Sequence, residues 1–322
     1  MKKVLVIQAL HDDGLRLMRK RRDVRFEVVP DPTDSILRDR IRDADAVIVR
    51  GSLLTGSVIE SASRLQIVSR QGSSITNLDM AMLTARRIPV AISGTAIASS
   101  AAEQTLFLML ALAKHGLAHD AATRNDNFEI REDRHAIDLL DRVLLIVGFG
   151  RVGREVARRA LAFGMHVLAH DPFVEDAVIV THGATPVPEF RRVLGKADFV
   201  SLHTQASAQT HNLIGADELA LMKPTAFLIN AAWGGLVTEM ALYEALATGR
   251  LAGAGLDVFV GLRPSPDNPL LRLKNVVLSP HSGSQTREAV SRNSRMAVQN
   301  VLDAFDGTLN PEVVVNREVL RP

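Results

Sequence analysis

Three glycines at positions 148, 150 and 153, spaced G-x-G-x-x-G, separate an apolar run, Val143 to Val147, from a helical segment that opens at Arg151. That spacing suits a pyrophosphate. Gly148 permits a tight strand-to-helix turn, Gly150 lets phosphate oxygens approach the main chain, and Gly153 lets the helix pack close on the strand. The helix start, at Arg151 and Val152, offers N–H groups with no partner inside the helix, at the positive end of its dipole. A second apolar run follows and ends in Asp171. A carboxylate there accepts hydrogen bonds from adenosine ribose hydroxyls and repels a 2′-phosphate, which favours NAD over NADP.

Such a turn works only if strands and helices alternate around it. Short apolar runs recur at Val4 to Ala9, Phe26 to Val29, Ala46 to Val49, Ile67 to Ser69 and Val90 to Ile92, with helical patterns between them, such as Asp34 to Asp43 behind a Thr33 or Asp34 cap. A long apolar helix over Ser100 to His115 and a polar stretch from Gly116 to Asp141 lead to the glycines. Beyond Asp171 the runs resume at Phe199 to His203, Ala226 to Asn230, Gly253 to Val258 and Val276 to Ser279. This alternation predicts an α/β protein of two doubly wound parallel-sheet domains. The amphipathic segment Thr286 to Phe305 is expected to return to the first domain. That domain is then discontinuous, residues 1–99 with 287–322, around a nucleotide domain at 100–286.

Composition narrows the function classes. Hydrophobic content of 47% with 23% charge suits a globular chain with real cores, not a disordered one. The net charge is +2, and basic clusters such as Arg19 to Arg22 lack interleaved aromatics, so no nucleic-acid partner is expected. There is no cysteine, hence no disulfide and no thiolate metal site. No uninterrupted run of ~18 apolar residues suggests a membrane span. The opening MKKVLVIQAL reads as a first strand and not a leader, so the expected address is cytoplasmic. His115 and His119, four apart, have the spacing of a ligand pair but lack a third ligand nearby, so no metal is expected. The serines at 73, 74, 282 and 284 lack a nucleophile-elbow pattern and read as turn residues.

Further segments make the pattern specific: Val200-Ser-Leu-His203-Thr204, Asn230-Ala-Ala-Trp-Gly-Gly-Leu-Val237, Gly253-Ala-Gly-Leu-Asp257-Val-Phe259 and Ser279-Pro-His281-Ser-Gly283, with Thr84 to Val90 and Ala101 to Glu103 upstream. In this order, over essentially the whole chain, they resemble the D-2-hydroxyacid dehydrogenase family, which includes phosphoglycerate, glyoxylate/hydroxypyruvate and D-lactate dehydrogenases. The resemblance implies a flavodoxin-like substrate domain built from the two chain ends, a central Rossmann NAD domain, a cleft between them, a small-molecule substrate and a homodimer with its contact near the long helix. It also implies that Asp257 holds the nicotinamide amide and that His203 and Thr204 line the adenine side. Ser73, Ala231, Ser282 and Gly283 would meet the cofactor through main chain.

Departures fall on the substrate side. The family arginine of A-R-G-G is Trp233, the family Glu-Pro pair reads Leu262-Arg263, and of the catalytic set only His281 survives. The G-x-G-x-D turn reads Gly72-Ser-Ser-Ile-Thr76, Ile97 replaces an asparagine, and Gln205 a proline. An indole offers one neutral donor against five on a fixed cation. Loss of the charge-assisted clamp costs roughly 1.5–3 kcal/mol per hydrogen bond, and loss of one oxyanion stabiliser roughly 10²–10³ in rate. Leu262 gives His281 no acceptor to fix its tautomer. Three functions compete: an altered 2-oxo acid oxidoreductase, a catalytically silent NAD-binding protein, and a reductase of carbonyl substrates lacking a carboxylate. Under the first, Arg70 or Arg263 could supply the missing charge.

Overall fold

The computed structural model describes residues 1–261 and 263–320. Contacts divide them into two units, Met1–Ile97 with the residues from Thr286 onward, and Ala98–Gln285. The first unit holds β1 (Lys2–Ile7), β2 (Val24–Val29), β3 (Ala46–Val49), β4 (Ile67–Arg70) and β5 (Val90–Ile92). Their order is β2-β1-β3-β4-β5, with every neighbouring pair parallel. This is the flavodoxin-like order. Alternate residues enter two cores. Leu5, Ile7, Val47, Val49 and Val68 meet Leu37, Ile41, Val58 and Leu83 on one face. Val4, Val6, Ala46, Ile48 and Ile67 meet Met18, Ala297, Val298 and Val301 on the other. Burial on both faces explains why these strands are apolar at nearly every position.

Helix Arg287–Phe305 covers that second face, with the Thr286 hydroxyl accepting from Ala289 N–H at 3.1 Å as its cap. Ser69 Oγ donates to the Ala297 carbonyl at 2.8 Å, and Asn300 Nδ2 to the Ile92 carbonyl at 3.2 Å, so polar side chains fix the helix over the sheet.

The second unit adds β6 (Val143–Val147), β7 (His166–His170), β8 (Thr185–Pro186), β9 (Phe199–Leu202), β10 (Phe227–Asn230), β11 (Gly253–Leu256) and β12 (Val276–Leu278). All pair in parallel, in the order β12-β11-β10-β9-β6-β7-β8. The chain winds outward from β6 in one direction, then returns to β9 and winds in the other. The switch point therefore lies between the ends of β6 and β9. Helices Ala98–Ala113 and Arg151–Ala162 share one face, burying Leu108, Met109, Val156 and Ala160 with Phe227 and Ile229. Gly255 keeps the first of them close: a Cβ there would lie 2.8 Å from the Leu108 Cβ.

One sequence expectation needs correction. The long helix runs Ala98–Ala113, not Ser100 to His115, because a 3-10 turn over Gly94–Ile97 leads straight into it. Together they make a 20-residue segment apolar enough by composition to cross a membrane, yet half of its most apolar window is buried inside the protein. Within the polar stretch after it, Gly116–Arg124 is helical.

Each sheet uses the same polar device. Asp45, just before β3, accepts from the Lys3 N–H of β1 at 2.8 Å and from Arg64 at 2.7 Å. Asp198, just before β9, accepts from the Val143 N–H of β6 at 2.9 Å and from Lys223 at 2.9 Å. Burial raises the Asp45 carboxyl pKa, but the Lys3 and Arg64 bonds outweigh it and hold the group below its ordinary value. A depressed carboxyl stabilises the fold above its unfolded pKa of about 4 and loses that contribution as pH falls through the folded value. Asp45→Asn is therefore expected to lower unfolding free energy by roughly 1.5–3 kcal/mol at neutral pH. Denaturant melts from neutral to acid pH should show the gap between variant and parent closing below about pH 4.

Candidate functional site

The three glycines sit at the switch point, and each has a separate reason to be glycine. Gly148 has φ +99°, and a Cβ on it would lie 2.6 Å from the His203 carbonyl carbon and 2.7 Å from the Thr204 N. The ends of β6 and β9 can touch only because that atom is missing. Gly153 is buried, and its Cβ would meet the Gly148 carbonyl oxygen at 2.2 Å. Around the Cβ position of Gly150 there is nothing within 4 Å. This open space faces the first turn of helix Arg151–Ala162, where the N–H groups of Arg151 and Val152 lie. Phe149, wholly buried, anchors the turn from below, with Arg154 over its ring at 6.0 Å and the His182 ring edge-on at 5.8 Å.

Asp171 follows β7. Its Oδ2 accepts from the Phe149 N–H at 2.8 Å and its Oδ1 from the Phe173 N–H at 2.9 Å, which ties the carboxylate to the glycine turn. Among the described residues, buried Thr204 Oγ1 has no hydrogen-bond partner, a costly state that a polar ligand group relieves. His203 Nε2 lies 2.8 Å from Ser201 Oγ, and burial pushes its pKa down to about 4, so the ring is neutral at physiological pH. An open main-chain cradle, a helix start, an anchored carboxylate and an orphaned hydroxyl fit NAD. Gly148, Gly150, Arg151, Val152 and Gly153 would hold its pyrophosphate, and Asp171 the adenosine ribose.

The other sequence-nominated residues of this unit follow β10, β11 and β12. Ala231 and Trp233 follow β10, where buried Asn230 accepts from the Ala232 N–H at 3.1 Å and donates to the Trp233 carbonyl at 2.8 Å. The indole lies over Gly235, where a Cβ would be 2.5 Å from the ring, and beside the His211 imidazole, 5.9 Å between centroids. Asp257 follows β11, with both carboxylate oxygens bonded to the turn that carries His281, Ser282 and Gly283. His281 is exposed, with φ +55°, and among the described residues no group hydrogen-bonds its ring.

Ser73 belongs to the first unit, exposed on the turn after β4. Arg70, at the end of β4, donates Nε–H to Asn77 Oδ1 at 3.2 Å and Nη1–H to the Gln71 carbonyl, with no carboxylate within ion-pair distance among the described residues. Burial, aided by the Arg50 charge, lowers its pKa to about 10. Beside it, Gln71 is buried with its Oε1 unpartnered. Leu262 lies outside the described residues, and Arg263 is exposed. His135 comes within 5.9 Å of the His115 ring, centroid to centroid, and His119 within 6.2 Å of it. Among the described residues, however, no three His, Asp or Glu side chains are grouped to hold a metal.

Sequence reasoning missed Gln104, which donates to Ser279 Oγ at 2.9 Å, along with Phe149 and His211. None of these sits in a motif. Gln104 follows Glu103 on the long helix, and only the fold brings it to β12.

Comparison with known proteins agrees with this geometry. The profile described as D-isomer specific 2-hydroxyacid dehydrogenase, NAD binding domain, matches residues 106–283. The chain is 36% identical over 315 residues to a D-3-phosphoglycerate dehydrogenase of Methanocaldococcus jannaschii, covering 98% of this chain but 59% of that relative's length. It is also 36% identical to a glyoxylate reductase of Korarchaeum cryptofilum, over 90% of this chain and 88% of the relative. Among solved structures, an acyclic imino acid reductase in complex with NADPH and D-Arg superimposes with a TM-score of 0.88 at 28% identity, covering 98% of this chain and 100% of that one.

The glycine geometry separates folding from binding. Gly150→Ala has room for its methyl and should keep the parent melting temperature while weakening NADH binding at least about tenfold, about 1.4 kcal/mol, in a fluorescence titration. Gly153→Ala must push the helix off the strand and should cost roughly 1–3 kcal/mol in a denaturant melt.

Proposed function

Because the chain belongs to the D-isomer specific 2-hydroxyacid dehydrogenase family, we propose that it is an NAD-dependent oxidoreductase acting at C2 of a 2-oxo or 2-hydroxy acid, with ordinary turnover curtailed. The observation that carries this reading is the complete dinucleotide cradle, from Gly148 to Gly153 with Asp171 and the orphaned Thr204 hydroxyl. NADH, when bound, supplies a hydride. His281 gives the carbonyl oxygen its proton during reduction and takes it back during oxidation. The balanced reduction consumes one 2-oxo acid, one NADH and one proton, and yields the 2-hydroxy acid and NAD. With Trp233 at the family arginine position, the counter-charge for the substrate carboxylate has to come from another cation of this chain.

Trp233 itself favours a second reading. Exchange of a guanidinium for an indole removes the attraction for a developing oxyanion and leaves a π face that attracts cations. A protonated imine carries its charge before the hydride arrives, and its nitrogen needs no proton donor. The imino acid reductase of similar fold supports this route. The two readings predict opposite amine dependence.

Assembly and address are proposals too. Phe107, 50% exposed, lies with Leu117 and Phe163 around a depression of about 650 Å³ bordered by the Arg159–Glu103 pair, and we assign this face to a homodimer in the cytoplasm. Phe107→Glu should shift sedimentation from dimer to monomer without loss of NADH binding.

Turnover is tested at the NADH absorbance band with glyoxylate, hydroxypyruvate and pyruvate, each with and without methylamine. Slow amine-independent oxidation supports the first reading, amine-dependent oxidation the second, and none at all the silent NAD binder. On the first reading, Trp233→Arg with Leu262→Glu should raise 2-oxo acid reduction by about 10² or more. Trp233, the sole tryptophan, should transfer its excitation to bound NADH in every variant that keeps it.

A further inference from the structure

The Trp233 indole is held by two segments of its own unit. It folds back on the turn that carries it. A Cβ on Gly235 would lie 2.5 Å from its Cη2, 2.7 Å from Cζ2 and 2.9 Å from Cζ3, so any side chain there would displace the six-membered ring. The His211 ring packs beside the indole, 5.9 Å between centroids and tilted by 47°, within the range of paired aromatic rings. Trp233 is half-buried, so part of the indole stays open to a ligand.

Main-chain bonds fix both segments. His211 ends a closed turn in which Thr210 Oγ1 donates to the Gln205 carbonyl at 2.6 Å and accepts from the Ser207 N–H at 2.9 Å. The His211 N–H donates to the Ser207 carbonyl at 3.1 Å. Asn212 then takes a left-handed φ of +52°, which asparagine tolerates, and donates its N–H to the Gly235 carbonyl at 2.8 Å. The Ile214 N–H follows with a bond to the Leu236 carbonyl at 2.9 Å. The His211 segment is thereby zipped to the Trp233 turn. Gly234 sits against the Phe259 carbonyl with no room for a Cβ, and Asn230 grips the Trp233 carbonyl at 2.8 Å. The backbone sets the spacing of the two rings, and each ring restricts the other.

We infer that His211 is a specificity-determining residue of this site: its ring, with Gly235, fixes the Trp233 indole as a rigid π surface that favours a ligand with a positively charged nitrogen on C2 over one with a hydroxyl. The preference for charge rests on the second reading given above for Trp233, whereas the fixing of the indole does not. A cation is attracted only when it lies over the ring within about 6 Å, so an indole that swings among rotamers loses the interaction. His211 acts through the indole and not on the reacting atoms, as a positioning residue.

The test uses the full chain and two readouts. Time-resolved emission anisotropy, without coenzyme, reports the motion of this indole alone, because Trp233 is the sole tryptophan. Calorimetric titration of the NADH-loaded chain compares N-methyl-D-alanine with D-lactate. Both ligands are already reduced, so no hydride moves, and they differ at C2 in a secondary ammonium against a hydroxyl. His211→Ala should add a fast component to the anisotropy decay and raise the Kd of N-methyl-D-alanine about fivefold, about 1 kcal/mol, with D-lactate within about twofold. His211→Phe, which keeps a ring, should restore both readouts. Gly235→Ala should free the indole and weaken N-methyl-D-alanine in the same way, which keeps the question measurable if His211→Ala does not fold. An indole equally rigid in His211→Ala and Gly235→Ala overturns the proposal, as does a His211→Phe chain that behaves like His211→Ala. Equal weakening of both ligands, or no binding of N-methyl-D-alanine to the parent, overturns it too. A parent chain without turnover defeats the oxidoreductase reading but leaves both of these readouts standing.

Discussion

The nucleotide unit depends on one close approach, the backbone of Gly148 against the His203–Thr204 peptide. The sheet reverses its winding there, so two strand ends must diverge from nearly the same point. A side chain at Gly148 would wedge them apart, and its left-handed φ would strain any other residue. Once the approach is made, the helix start behind Gly150 faces open space, Asp171 is bonded to the Phe149 N–H, and Thr204 Oγ1 is left without a partner. The cradle is thus mostly main chain. That is why the chain can differ from its family at Trp233 and Leu262 and still keep the whole dinucleotide apparatus.

The fold was legible because its determinants are periodic. A strand buried on both faces must be apolar at nearly every position, and β1, β3, β6 and β9 stand out as short runs between turn residues. The helix boundary at Ala98 was not legible, since nothing in Gly94-Thr-Ala-Ile97 marks the 3-10 turn that precedes it. Among the nominated residues, the three glycines and Asp171 could be read because each answers a local backbone demand. Thr204 could be nominated but its lack of a partner could not, because that depends on all of its surroundings.

The Asp257 network was illegible for a different reason. Gln104, Asp257 and Ser279 lie on a helix and two strand ends far apart in sequence, and no spacing rule joins them. A family resemblance assigns Asp257 a ligand, and the geometry adds that both of its oxygens also grip the turn carrying His281. A similar gap separates His135 from His115 and His119. Proximity of the rings appears only in three dimensions, and even there it does not amount to a metal site.

In a 2-hydroxyacid dehydrogenase one guanidinium does two jobs that need not stay together. It neutralises a carboxylate that is charged throughout the reaction, and it stabilises charge that grows on the carbonyl oxygen only in the transition state. The first job tolerates relocation, because a permanent charge can be met by any well-placed cation. The second does not, since only a donor at the reacting oxygen senses the change. Trp233 therefore alters the two unequally. On the function proposed above, recognition of an acid survives, whereas acceleration of carbonyl reduction falls back on His281, whose ring has no orienting partner among the described residues. A substrate that brings its own positive charge to the reacting bond escapes that loss, because its charge is being removed as the hydride arrives. The same substitution that penalises a ketone is then neutral or favourable for a protonated imine, and the identity of residue 233 becomes a choice of electrophile.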